Sequence, residues 1–301
     1  MKLKTLVIAL VMMCTSPAQA EALLSFQDIL ALPHGSAAQR ITYGNGPQQF
    51  GDLYLPKSKG LHPLVVMIHG GCWRADLPGL ELQAPLSEAL AARGWAVWNL
   101  EYRRLGHDGA GYPGTFEDVG LGIDKVSDFA SSRNIDLKRV VFMGHSAGGH
   151  LAVWAAGRSR LPATSPLHAG EPLEPRAVVS LAGIIDLESY KDHGPDACGG
   201  PGIIDRLTGF ETRGAKAFAD TSPPRFLPLD RGQMVVSGAL DPIVPSSFGE
   251  AYGAAAMKSG DPVQVLTIQG AGHFELIAPK SAAWIQLFPL VDALGELGGR
   301  P

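Results

Sequence analysis

Val140-Val141-Phe142-Met143-Gly144-His145-Ser146-Ala147-Gly148-Gly149-His150 runs four apolar, strand-forming residues into G-x-S-x-G, and an apolar, alanine-rich segment follows from Leu151 to Ala156. The order reads as strand, sharp turn, helix. A serine on such a turn is lifted off the end of a sheet with its hydroxyl exposed, and the flanking glycines permit the close backbone approach that the turn needs. Ser146 is therefore the candidate nucleophile. Taken alone the five-residue pattern is weak, because small residues crowd many turns. It gains weight only if the rest of the chain supplies a base, an acid and donors for an oxyanion.

Working outward, the same alternation of strand and helix recurs. Upstream, Pro63-Leu64-Val65-Val66-Met67-Ile68 is a continuous apolar run, the mark of a strand buried on both faces. It ends in His69-Gly70-Gly71-Cys72-Trp73, where two glycines let backbone N–H groups turn toward one point. A helix is predicted over Leu80 to Arg93 with Gly94 as its stop, then a strand at Trp95–Leu100, and a helix over Thr115 to Ser131 with Thr115 or a neighbour as cap. Ile41–Tyr43 and Phe50–Leu55 predict an antiparallel hairpin at the sheet edge. Arg103 and Arg104, in the long loop from Glu101 to Thr115, read as ion-paired framework residues. Downstream, Ala177–Ala182, Gln233–Gly238 and Val263–Ile268 are further strands, with helices over Ser247–Lys258 and from Ser281 to Leu297. The fold class is α/β: a mostly parallel sheet covered by helices on both faces, whose sites lie beyond the carboxyl ends of the strands.

Asp241 follows the strand ending at Gly238, and His273 follows the one ending at Ile268, so both share an edge with Ser146. The chain order Ser, Asp, His is that of one of the three common serine-triad arrangements. In this reading His273 is the base and Asp241 orients it, with Asp186 held in reserve as the acid. Backbone N–H groups of Gly71, Cys72 and Ala147 are the oxyanion donors. His69 and His145 read as buried, loop-locking residues. His107, His168 and His193 have no metal-ligand spacing, and neither a metal nor an organic cofactor is expected.

The net charge of −4, with no basic run or acidic tail, argues against nucleic acid or an anionic membrane as a main partner. Met1-Lys2-Leu3-Lys4, the apolar run Leu6–Met13 and the small-residue stretch Thr15–Ala20 have the form of a secretory signal peptide cleaved after Ala20. That run is too short to span a bilayer, so a periplasmic or extracellular protein without a membrane anchor is expected. Cys14 leaves with the leader. Cys72 and Cys198 remain, an even pair in a compartment where disulfides persist, and sequence leaves their bridging open.

With H-G-G-C-W at 69–73, G-H-S-A-G-G at 144–149 and the Asp241 and His273 loops, the chain resembles the α/β-hydrolases of the esterase/lipase and kynurenine-formamidase-like group over nearly all its mature length. Cys72 departs from the H-G-G-G form of hormone-sensitive-lipase-like esterases. After the signal peptide at 1–20, the mature chain over 21–301 reads as a single α/β-hydrolase domain, with the irregular, glycine-rich stretch at about 186–229 as a cap-like insertion. The resemblance implies hydrolysis of a small-molecule carboxylic ester or amide. A carboxylesterase is the first expectation, an arylformamidase or peptidase-like amidase on the same triad the second, and a binding protein on a hydrolase fold the third.

Overall fold

The buried apolar runs become the middle of one eight-stranded sheet in the computed structural model, which describes residues 22–296. The leader expected over 1–20, with Cys14, lies outside the described residues. The strands are β1 (Gln39–Thr42), β2 (Phe50–Tyr54), β3 (His62–Ile68), β4 (Ala96–Leu100), β5 (Ile135–His145), β6 (Ala177–Leu181), β7 (Gly232–Gly238) and β8 (Val263–Ile268). They lie in the order β1-β2-β4-β3-β5-β6-β7-β8. The β1–β2 hairpin occupies one edge, and β2 also pairs antiparallel with β4. Every other pairing is parallel.

The helices are α1 (Phe26–Leu30), α2 (Ala84–Ala92), α3 (Gly114–Asp124), α4 (Val126–Phe129), α5 (Ala147–Ala156), α6 (Leu187–His193), α7 (Pro201–Thr208), α8 (Phe210–Arg213), α9 (Ser246–Lys258) and α10 (Ala282–Gly295). They divide between the two faces because successive strand side chains point to opposite sides. On β3, Leu64, Val66 and Ile68 join Val119 and Ile123 of α3, Leu151 and Trp154 of α5, and Tyr252 of α9 in one core. Val65 and Met67 join Leu86 and Leu90 of α2 and Trp284 and Leu287 of α10 in the other. Each such fully buried aliphatic side chain contributes about 1.5–3 kcal/mol of transfer free energy.

Two helices differ from their sequence expectation. The one expected over Leu80–Arg93 opens as a 3-10 turn, Leu80–Gln83, and becomes α-helical at Ala84, with Pro85 in the first turn, where a missing N–H costs nothing. The helix expected over Thr115–Ser131 starts after Pro113 and is divided into α3, α4 and a final 3-10 turn. Thr115 does not cap it. Its hydroxyl donates to Arg103 O (2.6 Å) and accepts from Gly111 N (2.9 Å), so the side chain holds the preceding loop instead.

His150 on α5 gives this core a pH dependence. Fully buried between the rings of Trp73 and Phe116, it donates through Nε2 to Thr221 O at 2.8 Å. Burial pushes its ring down to about 4. An unfolded histidine binds a proton below about 6.5 that the folded one refuses. Its contribution to stability is therefore whole above that pH and is lost as pH falls toward 4, by ~3 kcal/mol at the acid end. The unfolding midpoint in urea is expected to fall between pH 6.5 and 4, and His150→Gln, which keeps an N–H donor toward Thr221, should flatten that fall. An identical profile in the variant would remove His150 as its source.

Candidate active site

Strand register assembles the site before any side chain is considered. Ile68 pairs with Gly144 across β3 and β5, and His145 pairs with Leu181 across β5 and β6. The residues that follow each strand therefore meet at one edge: His69 beside His145, and Gly70 beside Ser146. The approach is close. A Cβ on Gly70 would lie 2.9 Å from His145 O and 3.1 Å from Ser146 Cβ.

Ser146 sits at φ 56°, ψ −121°, outside the favoured regions for a non-glycine residue. Such a conformation costs of order 1–3 kcal/mol and persists only where its surroundings impose it. Here Ser146 N donates to Leu181 O at 2.8 Å, and Ser146 O accepts from Gly149 N and His150 N as α5 begins. The glycines of the motif are needed for space: a Cβ on Gly144 would fall 2.0 Å from Gly148 O, and one on Gly148 would fall 2.1 Å from Ile68 O. The turn is thus a strained elbow with the serine at its tip.

The Asp241 and His273 loops converge on the same edge from β7 and β8. Asp241 Oδ2 accepts from His273 Nδ1 at 2.6 Å, and its other oxygen accepts from Ile243 N (2.8 Å) and Val244 N (2.9 Å). With its proton committed to Nδ1, the His273 ring presents Nε2 as an acceptor, the tautomer that a general base requires. His145 fixes that ring beside the elbow. Its Nε2 donates to His273 O at 3.1 Å, and the two rings lie 4.4 Å apart. Burial, and then the neighbouring His273, push the His145 ring well below the usual histidine range, so it stays neutral. Asp186, the reserve acid, caps α6 by accepting from Ser189 N at 3.1 Å.

Among the described residues, the N–H groups of Gly71, Cys72 and Ala147 donate to no group of the protein. Gly71, Cys72 and Trp73 all have positive φ, at 96°, 51° and 55°. The loop is held from behind by a network that the sequence did not disclose. Both ring nitrogens of buried His69 face acceptors, Nδ1 toward Gly70 O (2.7 Å) and Nε2 toward Glu101 Oε1 (3.0 Å). Glu101 also accepts from Tyr102 N (3.0 Å) and pairs with Arg104 (3.3 Å), while Tyr102 stacks on His69 and donates to its carbonyl at 2.8 Å. Burial alone would raise the Glu101 carboxyl; His69 and Arg104 outweigh it and hold it at about 2. The signal for Glu101 was register, since Ile68 pairs with Leu100 and the next residues along the two strands are His69 and Glu101. Arg103 is likewise ion-paired, with Asp118.

Cys72 and Cys198, whose pairing the sequence left open, form a disulfide with their Cα atoms 5.3 Å apart. It joins the loop after β3 to the insertion between β6 and β7. An apolar cavity of about 410 Å³ lies at the opposite edge of the sheet, lined by Ala177, Met234, Val263 and Leu294 among others, and holds none of the candidate residues.

A parallel sheet with a serine elbow after β5 and an acid and a histidine after β7 and β8 is the arrangement of an α/β-hydrolase. Within that class the chain belongs to the BD-FAE family, whose model matches residues 51–253. A probable isoprenylcysteine alpha-carbonyl methylesterase of Oryza sativa subsp. japonica is 26% identical over 258 residues, 78% of this chain. Esterase LipQ of Mycobacterium tuberculosis is 24% identical over 254 residues, 79% of this chain. The chain spans 56% of the length of each of these relatives. Among solved structures, an inhibited esterase B from Lactobacillus rhamnosis superposes with a TM-score of 0.74 at 22% identity, covering 89% of this chain and 91% of that one. A truncated carbohydrate esterase from gut microbiota gives 0.71 at 19% identity, covering 86% and 97%. These likenesses share the fold.

Proposed function

We propose that the protein is an exported serine hydrolase that cleaves small carboxylic esters through an acyl-enzyme on Ser146. The observation that carries this reading is the Asp241–His273 hydrogen bond, held against the elbow that bears Ser146. In this mechanism His273 Nε2 takes the proton of the Ser146 hydroxyl as its oxygen attacks the ester carbonyl, and Asp241 stabilises the resulting imidazolium. Gly71, Cys72 and Ala147 N–H groups meet the oxyanion, each donor worth about 3 kcal/mol of barrier. His273 then protonates the leaving alkoxide, and water attacks the acyl-serine by the same steps.

The names of the relatives favour ester over amide, since they include a methylesterase, an esterase and a carbohydrate esterase. Export is supported by the signal-like sequence at 1–20 and by the Cys72–Cys198 pairing, which fits an oxidising compartment. Turnover of p-nitrophenyl acetate and butyrate is expected to exceed that of N-formylkynurenine, with a fluorophosphonate adduct mapping to Ser146 by mass spectrometry. Wild-type protein that resists the label would sink the nucleophile assignment, and faster cleavage of the formamide would move the assignment to an amidase. Protein recovered from the periplasm or medium should begin at Glu21.

A further inference from the structure

We infer that the Cys72–Cys198 bridge positions the oxyanion loop for catalysis, so that the insertion carrying Cys198 helps to set the rate of the chemical step. This rests on the serine hydrolase reading of the same site. Three successive residues, Gly71, Cys72 and Trp73, occupy the left-handed region, and two of them have side chains that disfavour it. Such a backbone lasts only where neighbours over-determine it. Gly71 and Trp73 have other anchors: Arg74 N donates to Gly71 O at 2.8 Å, Leu105 N donates to Trp73 O at 2.7 Å, and the buried Trp73 indole meets the edge of His150. Cys72 lies inside the turn that the Arg74 N–Gly71 O bond closes, and among the described residues its own N–H and carbonyl make no further bond. Its N–H is kept free for the oxyanion, and its side chain is fastened through sulfur to Cys198.

The far end of the bridge is firm. Cys198 is fully buried in the 3-10 turn Asp196–Cys198, between α6 and α7. Those two helices are joined by the Lys191–Asp205 ion pair. The insertion also reaches the acid loop, because Tyr190 of α6 donates to Ile243 O at 2.9 Å, and Ile243 N is one of the groups that hold Asp241. One segment thus braces the oxyanion donor by a covalent bond and the Asp241 loop by a hydrogen bond. Without the bridge, the turn bond from Arg74 N to Gly71 O is left as the local restraint on the peptide around Cys72, which can then relax toward ordinary φ values and turn its N–H away. A substrate carbonyl loses little by this, whereas the oxyanion of the transition state loses a donor. The cost falls on kcat.

The test compares wild-type protein with Cys198→Ser and with the double variant Cys72→Ala/Cys198→Ala on p-nitrophenyl acetate. Both variants are expected to show kcat about 10- to 100-fold lower, less than the roughly 10²- to 10³-fold for outright loss of one oxyanion donor because the N–H is misaimed and not removed, with KM changed less than about threefold. Affinity for an alkyl boronic acid, which forms a tetrahedral adduct on the serine, should fall by the same factor as kcat, and affinity for the product carboxylic acid should not. Should either variant fail to fold, native protein treated with a dithiol below its melting temperature serves instead. There the reagent is oxidised to its cyclic disulfide as Cys72 and Cys198 become thiols, and kcat should fall and return on reoxidation. Unchanged kcat in bridge-free protein, or a loss confined to KM, would overturn the inference while leaving the serine hydrolase reading in place. A wild-type protein that neither turns over esters nor takes a fluorophosphonate would overturn both.

Discussion

Replacing Ser146 by alanine is expected to lower kcat for p-nitrophenyl acetate by at least about 10⁴-fold, the scale seen when a serine nucleophile is removed from an intact site. The fold should be indifferent to the change. The elbow is held by main-chain bonds, Ser146 N to Leu181 O and Gly149 N to Ser146 O, and alanine retains both. The strained φ of 56° costs an alanine about what it costs a serine. Melting temperature should therefore move by no more than a degree or two, and fluorophosphonate labelling should vanish. His273→Ala is expected to remove a similar factor, and the double variant should be scarcely slower than either single one, because base and nucleophile act as a unit. Additive losses would mean that the two residues serve separate steps, and retained turnover in Ser146→Ala would place the nucleophile elsewhere.

How much of this was legible in the sequence follows from which forces act locally. The strands β3, β5 and β7 were readable because fully buried strands need unbroken apolar runs. The elbow was readable because its two close contacts admit only glycine at 144 and 148. The placement of Asp241 and His273 was readable, each just past a strand end. The Glu101–His69 pair was not. It depends on which strands are neighbours, and β4 lies beside β3 only in the folded sheet order. The same holds for Tyr190, which reaches Ile243 from a segment whose glycine-rich pattern predicted little beyond short helical stretches. Local periodicity also hid the division between α3 and α4. The apolar stripe continues across it, while Thr115 bonds to the preceding loop and shifts the start of the helix.

Substituting Asp241 by asparagine separates orientation of the base from integrity of the loop, and is expected to cost about 10⁴-fold in kcat. The two oxygens of Asp241 have separate partners. Asp241 Oδ1 accepts from Ile243 N and Val244 N, so an asparagine must keep its carbonyl oxygen there to spare two buried donors. Its amide nitrogen then occupies the place of Oδ2 and faces His273 Nδ1. A donor in that place stabilises the tautomer with its proton on Nε2, which cannot accept the proton of Ser146. Rate is lost while the loop survives, and the urea midpoint should change little. Asp241→Ala removes both oxygens. It should lose a similar factor in rate and also about 1–3 kcal/mol of stability for each donor left buried without a partner. Asp186→Asn is the control. Its carbonyl can still accept from Ser189 N at the start of α6, so kcat is expected to stay within about twofold of wild type, a change of ~0.4 kcal/mol or less. A loss of 10³-fold or more in that variant, with Asp241→Asn close to wild type, would transfer the role of the acid from Asp241 to Asp186.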